Sequence, residues 1–138
     1  MTAPITGGCL CGNVRYECSA ESDMSLHCHC RDCQQATGSA FATIVSVPKA
    51  EFKILQGDVK AYTVEADSGK SVTREFCTNC GSPLFSYVEI MPEAVFLKAG
   101  SLDDASWVKP GLACWTNSQQ PWMASAHAVP GFPENPDM

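Results

Sequence analysis

The stretch SVTREFCTNCGSPLFSYV at residues 71–88 places Cys77 and Cys80 between two segments that are typical of β-strands. Asn79 and Gly81 favour a tight turn between these segments. A Cys-x-x-Cys pair on such a turn directs both sulfurs to one side of the chain, as in zinc ribbons. The stretch therefore predicts a strand–turn–strand unit that presents two metal ligands.

A second cysteine pair lies near the start of the chain, within GGCLCGNVRYEC at residues 7–18. Side chains alternate along an extended backbone, so Cys9 and Cys11 point the same way. Together with Cys77 and Cys80 they supply the four sulfurs of one tetrahedral zinc site. Such a site would pin the N-terminal strand to the middle of the chain.

A third cluster, CHCRDC, supplies three more sulfurs, from Cys28, Cys30 and Cys33. If this segment begins in an extended conformation, His27 and His29 point away from the cysteines. The histidines are then packing residues or neighbours of the ligands. A zinc ion with three protein ligands keeps one position for water or substrate, which is typical of catalytic sites. The seven clustered cysteines thus favour one closed site and one open site.

Spacing alone leaves another partition open. The first pair could join the three-cysteine cluster, which would leave Cys77 and Cys80 to find other partners. Cys18 and Cys114 belong to no cluster and are interpreted as small buried hydrophobic residues.

The rest of the sequence predicts an all-β fold with one short helical turn. Runs of five to eight apolar and β-branched residues alternate with Gly, Pro, Asp and Asn. The helical turn is predicted in CRDCQQATG, with Gly38 as its end. We predict a single domain at residues 1–126 and a Pro-rich tail without regular structure at 127–138. The predicted strands lie at 39–47, 50–57, 60–66, 71–77, 82–88 and the start of 93–104, and a further strand follows the turn within 7–18.

Composition limits the classes of function. The net charge is −6 and the chain has no run of Lys or Arg, so nucleic-acid binding is not expected. Its apolar stretches are too short to cross a bilayer, and residues 1–9 do not resemble a secretory signal, which predicts a cytoplasmic protein. Nine cysteines in such a chain indicate metal ligands rather than disulfides. The oligomeric state is not predicted.

Four motifs, GGCLCGNVRYE, CHCRDCQQATGSAF, REFCTNCGSPLF and KAGSLDD, resemble in order and spacing the GFA family. This family comprises the glutathione-dependent formaldehyde-activating enzymes and the related centromere protein V domains. The resemblance extends from Gly7 to Trp122 and implies a β-tent fold of antiparallel sheets around a structural zinc. Two zinc ions per chain are implied by motif match, the structural one at Cys9, Cys11, Cys77 and Cys80, and one associated with activity at Cys28, Cys30 and Cys33.

The resemblance also implies an activity, the condensation of formaldehyde with glutathione to S-hydroxymethylglutathione, which is a carbon–sulfur lyase reaction in reverse. Arg31 could hold a substrate carboxylate, and Gln35 is the second candidate for a substrate contact. Many members carry a basic residue where this chain has Gln34 and Gln35, and many carry a histidine at the position of Ala113-Cys114. Both departures concern the specificity for glutathione.

The leading hypothesis is a zinc-dependent enzyme that acts on a small thiol such as glutathione or on its aldehyde adduct. Zinc favours the thiolate form of a sulfur that fills its fourth position, and the thiolate is the nucleophile. His27, His29, Arg31 and Asp32 are candidates for a supporting role, although Asp32 is equally suited to cap the helix. The three tryptophans, Trp107, Trp115 and Trp122, are interpreted as core residues.

Two other hypotheses stay open. One is a non-catalytic binding module in which both zinc sites are structural and an unidentified ligand closes the second. The other is a thiol redox enzyme that uses the Cys77-x-x-Cys80 pair.

Overall fold

The computed structural model describes residues 3–136, which form ten β-strands, one α-helix and four short 3-10 turns. The strands that the alternating patterns predict are present with bounds shifted by a few residues. The strands are β1 (Ile5–Gly8), β2 (Arg15–Cys18), β3 (Met24–Cys28), β4 (Ala42–Pro48), β5 (Phe52–Gln56), β6 (Val59–Glu65), β7 (Ser71–Cys77), β8 (Pro83–Val88), β9 (Ala94–Lys98) and β10 (Leu112–Cys114). The helix is α1 (Arg31–Thr37), and the 3-10 turns are Lys49–Glu51, Ala99–Ser101, Thr116–Ser118 and Pro121–Ser125.

The strands form two sheets. The larger has seven strands in the order β10-β3-β4-β9-β8-β7-β6, and the smaller has three in the order β1-β2-β5. Neighbouring strands run antiparallel except β10, which lies parallel to β3 at the edge of the larger sheet. The prediction of an all-β fold with a short helix is confirmed.

Alternation along β4 and β9 gives the larger sheet two different faces. Val45 and Leu97 are fully buried in the main core, where they pack with residues of the smaller sheet. The ring of Tyr16 from β2 meets Phe85 of β8 edge-on, with the ring centroids 5.8 Å apart. The preceding residue along β4, Ile44, points to the opposite face and packs in a second cluster, which contains Cys28 and Cys33. Each face therefore covers a different part of the molecule.

Helix α1 begins and ends where local chemistry requires. The Cys30 side chain caps its start by accepting a hydrogen bond from the backbone N–H of Cys33 at 3.2 Å. Gly38 ends the helix in a left-handed conformation, with φ of 67°, and its N–H donates to the Gln34 carbonyl at 2.8 Å. The predicted helical turn and its glycine stop are confirmed.

Three strands were not predicted. Strand β1 ends in two glycines, which have little β propensity. Strand β10 has only three residues and forms because it pairs with β3, which is more than eighty positions away in the chain. For β3 (Met24–Cys28), the sequence indicates only an extended backbone around Cys28. Such strands depend on long-range pairing rather than on a local pattern.

The interpretation of the tryptophans is wrong for two of the three. Trp107 packs against the main core. Trp115 and Trp122 are 44% and 60% exposed. From 127 to 136 the chain forms no helix or strand, as predicted for the tail, whose last two residues lie outside the described part. The division into a domain at 1–126 and a tail stays a prediction.

Candidate metal centres

Four cysteine sulfurs from distant parts of the chain converge beside the end of β7. Cys9 and Cys11 belong to the turn after β1, Cys77 is the last residue of β7, and Cys80 lies in the turn before β8. Their four Sγ atoms all lie within 4.8 Å of one another. The Sγ atoms of Cys9 and Cys11 are 3.5 Å apart, and those of Cys11 and Cys77 are 3.8 Å apart.

Backbone and hydroxyl donors surround these sulfurs. The N–H of Val14 donates to Cys9 Sγ at 3.2 Å, and the N–H of Cys80 donates to Cys77 Sγ at 3.4 Å. The Ser82 hydroxyl lies 3.2 Å from Cys80 Sγ, and this hydrogen bond lowers the pKa of Cys80 to about 5. Hydrogen bonds of this kind favour the thiolate form that a metal requires.

The four-cysteine cluster has the dimensions of a zinc site. A zinc–sulfur bond is about 2.3 Å long, so the edges of a regular tetrahedron of sulfurs measure about 1.63 times that length, or about 3.8 Å. The Sγ separations of 3.5 and 3.8 Å match this value. A donor set of four thiols in this arrangement fits structural zinc.

The second cluster is assembled within a few residues at the junction of β3 and α1. Cys28 is the last residue of β3, Cys30 caps α1, and Cys33 lies in the first turn of the helix. Their Sγ atoms lie within 4.8 Å of one another, which is compatible with three corners of a zinc tetrahedron. Within residues 3–136, no other His, Cys, Asp or Glu ligand atom belongs to this compact group.

Two cations from β7 and β9, the strands on either side of β8, face the three sulfurs. Arg74 on β7 directs Nη2 toward Cys33 Sγ at 3.8 Å. Lys98, at the end of β9, is 8% exposed, and its Nζ donates to the Ser86 hydroxyl at 2.9 Å. A buried ammonium is stable only near compensating negative charge. The arrangement therefore favours thiolates in the cluster.

The pKa values of these groups shift in opposite directions. Hydrogen bonds from Cys28 and then Cys30 hold the pKa of Cys33 far below its ordinary value, and Lys98 and Arg74 act in the same direction. The pKa of Cys28 is raised, because the hydrogen bonds with Cys30 and Cys33 keep its proton in place. Burial lowers the pKa of Lys98, and the charge of Cys33 opposes this effect.

The three sulfurs line a cavity of about 260 Å³ on the second face of the larger sheet. Its lining includes Trp115, whose backbone is in the left-handed conformation with φ of 59°. A bulky residue in this conformation carries strain of the kind that occurs at functional sites. The apolar part of the wall is formed by Leu26, Ile44, Val72, Val88, Met91 and Phe96.

The predicted substrate contacts lie outside this cavity. Arg31 and Gln35 are both exposed, and neither lines its wall. Arg31 Nη1 donates to Gln34 Oε1 at 2.6 Å instead. Asp32 does line the cavity, and it is exposed. Gln35 and Arg31 stay predictions as substrate contacts.

The two histidines point away from the cluster. Both rings contact Phe41, with centroids 4.6 Å away for His27 and 5.3 Å away for His29. His27 Nδ1 also lies 3.0 Å from the Thr43 hydroxyl. Neither histidine belongs to the compact group of ligand atoms, in agreement with the alternation argument.

Gln34 fixes the position of α1. Its side chain is buried, and Nε2 donates to the His29 carbonyl at 2.6 Å and to the Ser118 carbonyl at 3.0 Å. Gln120 Nε2 donates to Gln34 Oε1 at 2.7 Å. These bonds join α1 to the segment that follows β10. The polar atoms of the Gln34 side chain are engaged in these structural hydrogen bonds, and Gln34 does not line the cavity.

Sequence reasoning missed four residues of the cavity wall: Arg74, Lys98, Cys114 and Trp115. Arg74 and Lys98 appear in the sequence as ordinary strand residues. No local motif marks them, because strand pairing alone brings them to the cysteines. The positive φ of Trp115 has no signature in the sequence.

A larger groove of about 680 Å³ is lined by residues that include Cys9, Phe41 and Lys98. Two of its charged residues, Arg15 and Asp103, form an ion pair with each other. The three-cysteine cluster does not line it. The smaller cavity is therefore the candidate site for chemistry.

Comparison with known proteins agrees with this geometry. The model of the GFA family, described as glutathione-dependent formaldehyde-activating enzyme, matches residues 4–118. A Fusarium vanettenii protein is 23% identical over 85% of this chain, and an Aspergillus flavus protein is 24% identical over 80%. Both carry the provisional name of glutathione-dependent formaldehyde-activating enzyme. The chain spans only 66% and 59% of the lengths of these two relatives.

A solved structure shows the same fold. The crystal structure of a Rhodobacter sphaeroides protein superposes on this chain with a TM-score of 0.60. The superposition covers 78% of this chain and 98% of the Rhodobacter chain. The sequences are 20% identical, so this likeness concerns the fold alone. Within residues 3–136, no helix has both the length and the apolar character needed to span a membrane.

Proposed function

The chain belongs to the GFA family of glutathione-dependent formaldehyde-activating enzymes, and on this basis we propose that it is a zinc-dependent enzyme of the carbon–sulfur lyase type that acts on a small thiol and its aldehyde adduct. We assign the structural zinc to the four-cysteine cluster and the reactive zinc to Cys28, Cys30 and Cys33. The observation that carries the proposal is the set of three sulfurs lining a cavity beside two cations.

The proposed reaction joins a thiol to formaldehyde. The thiolate sulfur attacks the carbonyl carbon, a carbon–sulfur bond forms, and the carbonyl π electrons move to oxygen. The proton released by the thiol ends on that oxygen, so the product is a hydroxymethyl thioether and no oxidant is needed. Zinc held by three thiolates would lower the pKa of a thiol at its fourth position.

The chain's own residues supply the rest of the chemistry. Arg74 and Lys98 offset the negative charge of the thiolates, which keeps a further thiolate stable in the cavity. Ser86 holds the Lys98 ammonium in place. The apolar wall, which includes Trp115, limits access of water to the reacting atoms.

The size of the cavity favours a small thiol or one end of a longer one. Its volume of about 260 Å³ is below the range of about 300–1,000 Å³ that is usual for ligand pockets. A tripeptide such as glutathione would place its sulfur inside and extend beyond the mouth. Lys70 lines the cavity and is exposed, so we propose it as a contact for a substrate carboxylate there. Arg31 and Gln35 remain proposed contacts for the parts of the substrate that extend outside the cavity.

The direct test is to incubate zinc-loaded protein with formaldehyde and a series of thiols and to follow adduct formation by NMR. We expect acceleration over the uncatalysed reaction, and its loss in Cys30→Ser. Cys18→Ala is the matched control, because Cys18 is buried in the main core and belongs to neither cluster. The proposal would be contradicted if the protein holds only one zinc per chain and fails to accelerate adduct formation with any of the thiols tested.

A non-catalytic binding module with two structural zinc sites is the second candidate. It requires a protein ligand that permanently closes the second site, and Cys114 lies in the cavity wall beside the cluster. In this case the absorption spectrum of cobalt-substituted wild type would not respond to added thiols, and the fourth ligand would stay protected from alkylation in their presence.

A further inference from the structure

Cys114 lies next to the three-cysteine cluster through strand pairing. Strand β10 runs parallel to β3, and Cys114 is the register partner of Cys28. Adjacent strands are about 4.8 Å apart, and side chains at paired positions point to the same face of a sheet. The N–H of His29 donates to the Cys114 carbonyl at 3.0 Å and fixes the end of β10. The two cysteines therefore face the same cavity, and both line it.

The charges around the cluster match four thiolates rather than three. A zinc ion with three thiolates carries a net charge of −1, and one with four thiolates carries −2. Arg74 and Lys98 supply two positive charges beside the sulfurs, and Lys98 is 8% exposed. The other charged groups on the cavity wall, Asp32, Asp67 and Lys70, are exposed, so water screens them. The buried charge is balanced when a fourth thiolate is present.

The Cys114 side chain needs only a local change to reach the cluster. Its Sγ does not belong to the group of sulfurs within 4.8 Å of one another. Its thiol is free and only partly buried. A cysteine side chain has a single χ angle with three staggered positions, so one rotation moves the sulfur across the cavity wall.

We propose that Cys114 is an exchangeable fourth ligand of the second zinc. Its sulfur occupies the fourth coordination position at rest and leaves that position when the substrate thiol binds. This inference rests on the proposed function. In the exchange, the incoming thiol gives its proton to the departing Cys114 thiolate, so the number of thiolates stays at four and no net proton is released. The two cations then face the same charge before and after substrate binds.

Cobalt substitution tests the ligand count without an assay of activity. Wild type with cobalt in both sites would have eight thiolate ligands, and Cys114→Ala would have seven. We expect the sulfur-to-cobalt charge-transfer band to lose about one eighth of its intensity in the variant. Added glutathione restores the intensity in Cys114→Ala and leaves that of wild type unchanged. Cys18→Ala, the other cysteine outside the clusters, behaves as wild type at each step.

Alkylation distinguishes exchange from permanent ligation. In zinc-loaded wild type, we expect Cys114 to resist iodoacetamide and to become reactive when glutathione is added, with the modified residue identified by mass spectrometry.

If the cobalt band of Cys114→Ala equals that of wild type before thiol is added, the inference is wrong, and the proposed function stands if thiol raises both bands. If Cys114 stays protected in the presence of glutathione, exchange is wrong and the binding module is favoured. If wild type binds one cobalt per chain, the inference and the proposed function both fail.

Discussion

Lys98 is a buried lysine whose charge lies beside the cysteine sulfurs, which is a rare position for a lysine side chain. Its ammonium is buried, which lowers its pKa, and it lies beside thiols that stabilise its charge. The ammonium donates a hydrogen bond to the Ser86 hydroxyl, a neutral acceptor. The charge therefore depends on the thiolates, and the thiolates depend on the charge.

Replacing Lys98 with methionine removes this charge and keeps a side chain of similar length. We expect Lys98→Met to weaken binding of the second zinc by roughly 10- to 100-fold, as is usual when a partner of metal ligands is lost. The structural zinc should be retained. Competition with a chromophoric chelator measures both affinities. Lys53→Met is the matched control, since the Lys53 side chain is 67% exposed, and an equal loss of affinity in both variants would contradict the prediction.

Tyr16 makes a second buried polar contact, this time in the main core. Its hydroxyl lies 2.5 Å from the Ser101 hydroxyl, and burial raises its pKa from 10.0 to about 12. The unfolded chain loses this proton near pH 10 and the folded chain near pH 12. Stability is therefore lost as the pH rises through this window, by about 1.4 kcal/mol for each pH unit.

The variant Tyr16→Phe has no proton to lose. At pH 8 we expect it to be less stable than wild type by about 1 kcal/mol, because a buried hydrogen bond is lost. Above pH 10 the difference should shrink and then reverse. Denaturation of the zinc-loaded proteins between pH 8 and pH 11.5 measures this. Tyr87 titrates in both proteins and cancels, and Tyr62→Phe, at an exposed site, should match wild type throughout. Parallel pH curves for wild type and Tyr16→Phe would refute the argument.

At the scale of the elements, helix α1 has the closest connection with the second site. It presents Cys33 in its first turn and is capped by the sulfur of Cys30. Gln34 bonds the helix to the segment after β10, which contains Trp115 of the cavity wall. Displacement of the helix would therefore change the cluster and this part of the wall together.

The end of α1 is open to a clean test. Gly38 has φ of 67°, and a Cβ at this position would meet no atom within 4 Å. The cost of Gly38→Ala is thus conformational, and we expect a loss of about 1 kcal/mol in the free energy of unfolding. Gly38→Asn should lose less, because asparagine tolerates this conformation. Gly100→Ala is the control, since Gly100 has open space and no positive φ. Equal stability of Gly38→Ala and Gly100→Ala would show that the cap does not matter.

The sequence determines the elements to different degrees. Runs of apolar and β-branched residues predict β4 to β9. Strands β4, β8 and β9 contribute buried residues to the core, whereas β6 has none. The spacing of the cysteines predicts the two pairs and the group of three, because ligands of one metal are often neighbours in sequence. It favours the observed division into two clusters and leaves open the joining of Cys9 and Cys11 to the group of three. The cations could not be predicted. Arg74 pairs with Ser86, which pairs with Phe96 two residues before Lys98, so their proximity follows from the register of three strands.

At the scale of the whole molecule, the two clusters connect very different lengths of chain. The Cys11–Cys77 contact spans 66 positions and joins the turn after β1 to the end of β7. The second cluster spans only the junction of β3 and α1. A metal in the first cluster thus constrains the small sheet against the large one, and a metal in the second orders a single turn of helix.

This difference predicts opposite results for two similar substitutions. We expect Cys77→Ser to lose the structural zinc and several kcal/mol of stability, because the binding energy of a closed site contributes directly to folding. Cys30→Ser should keep one zinc per chain and stay folded, since the four-cysteine cluster is intact. Its loss of stability should be below about 1 kcal/mol, because serine is itself a favoured N-cap residue and can accept the same hydrogen bond from the Cys33 N–H. Metal content by mass spectrometry and thermal unfolding measure the two effects in the same samples. If Cys30→Ser unfolds as readily as Cys77→Ser, both metals are structural, and the case for an open site at β3 and α1 is lost.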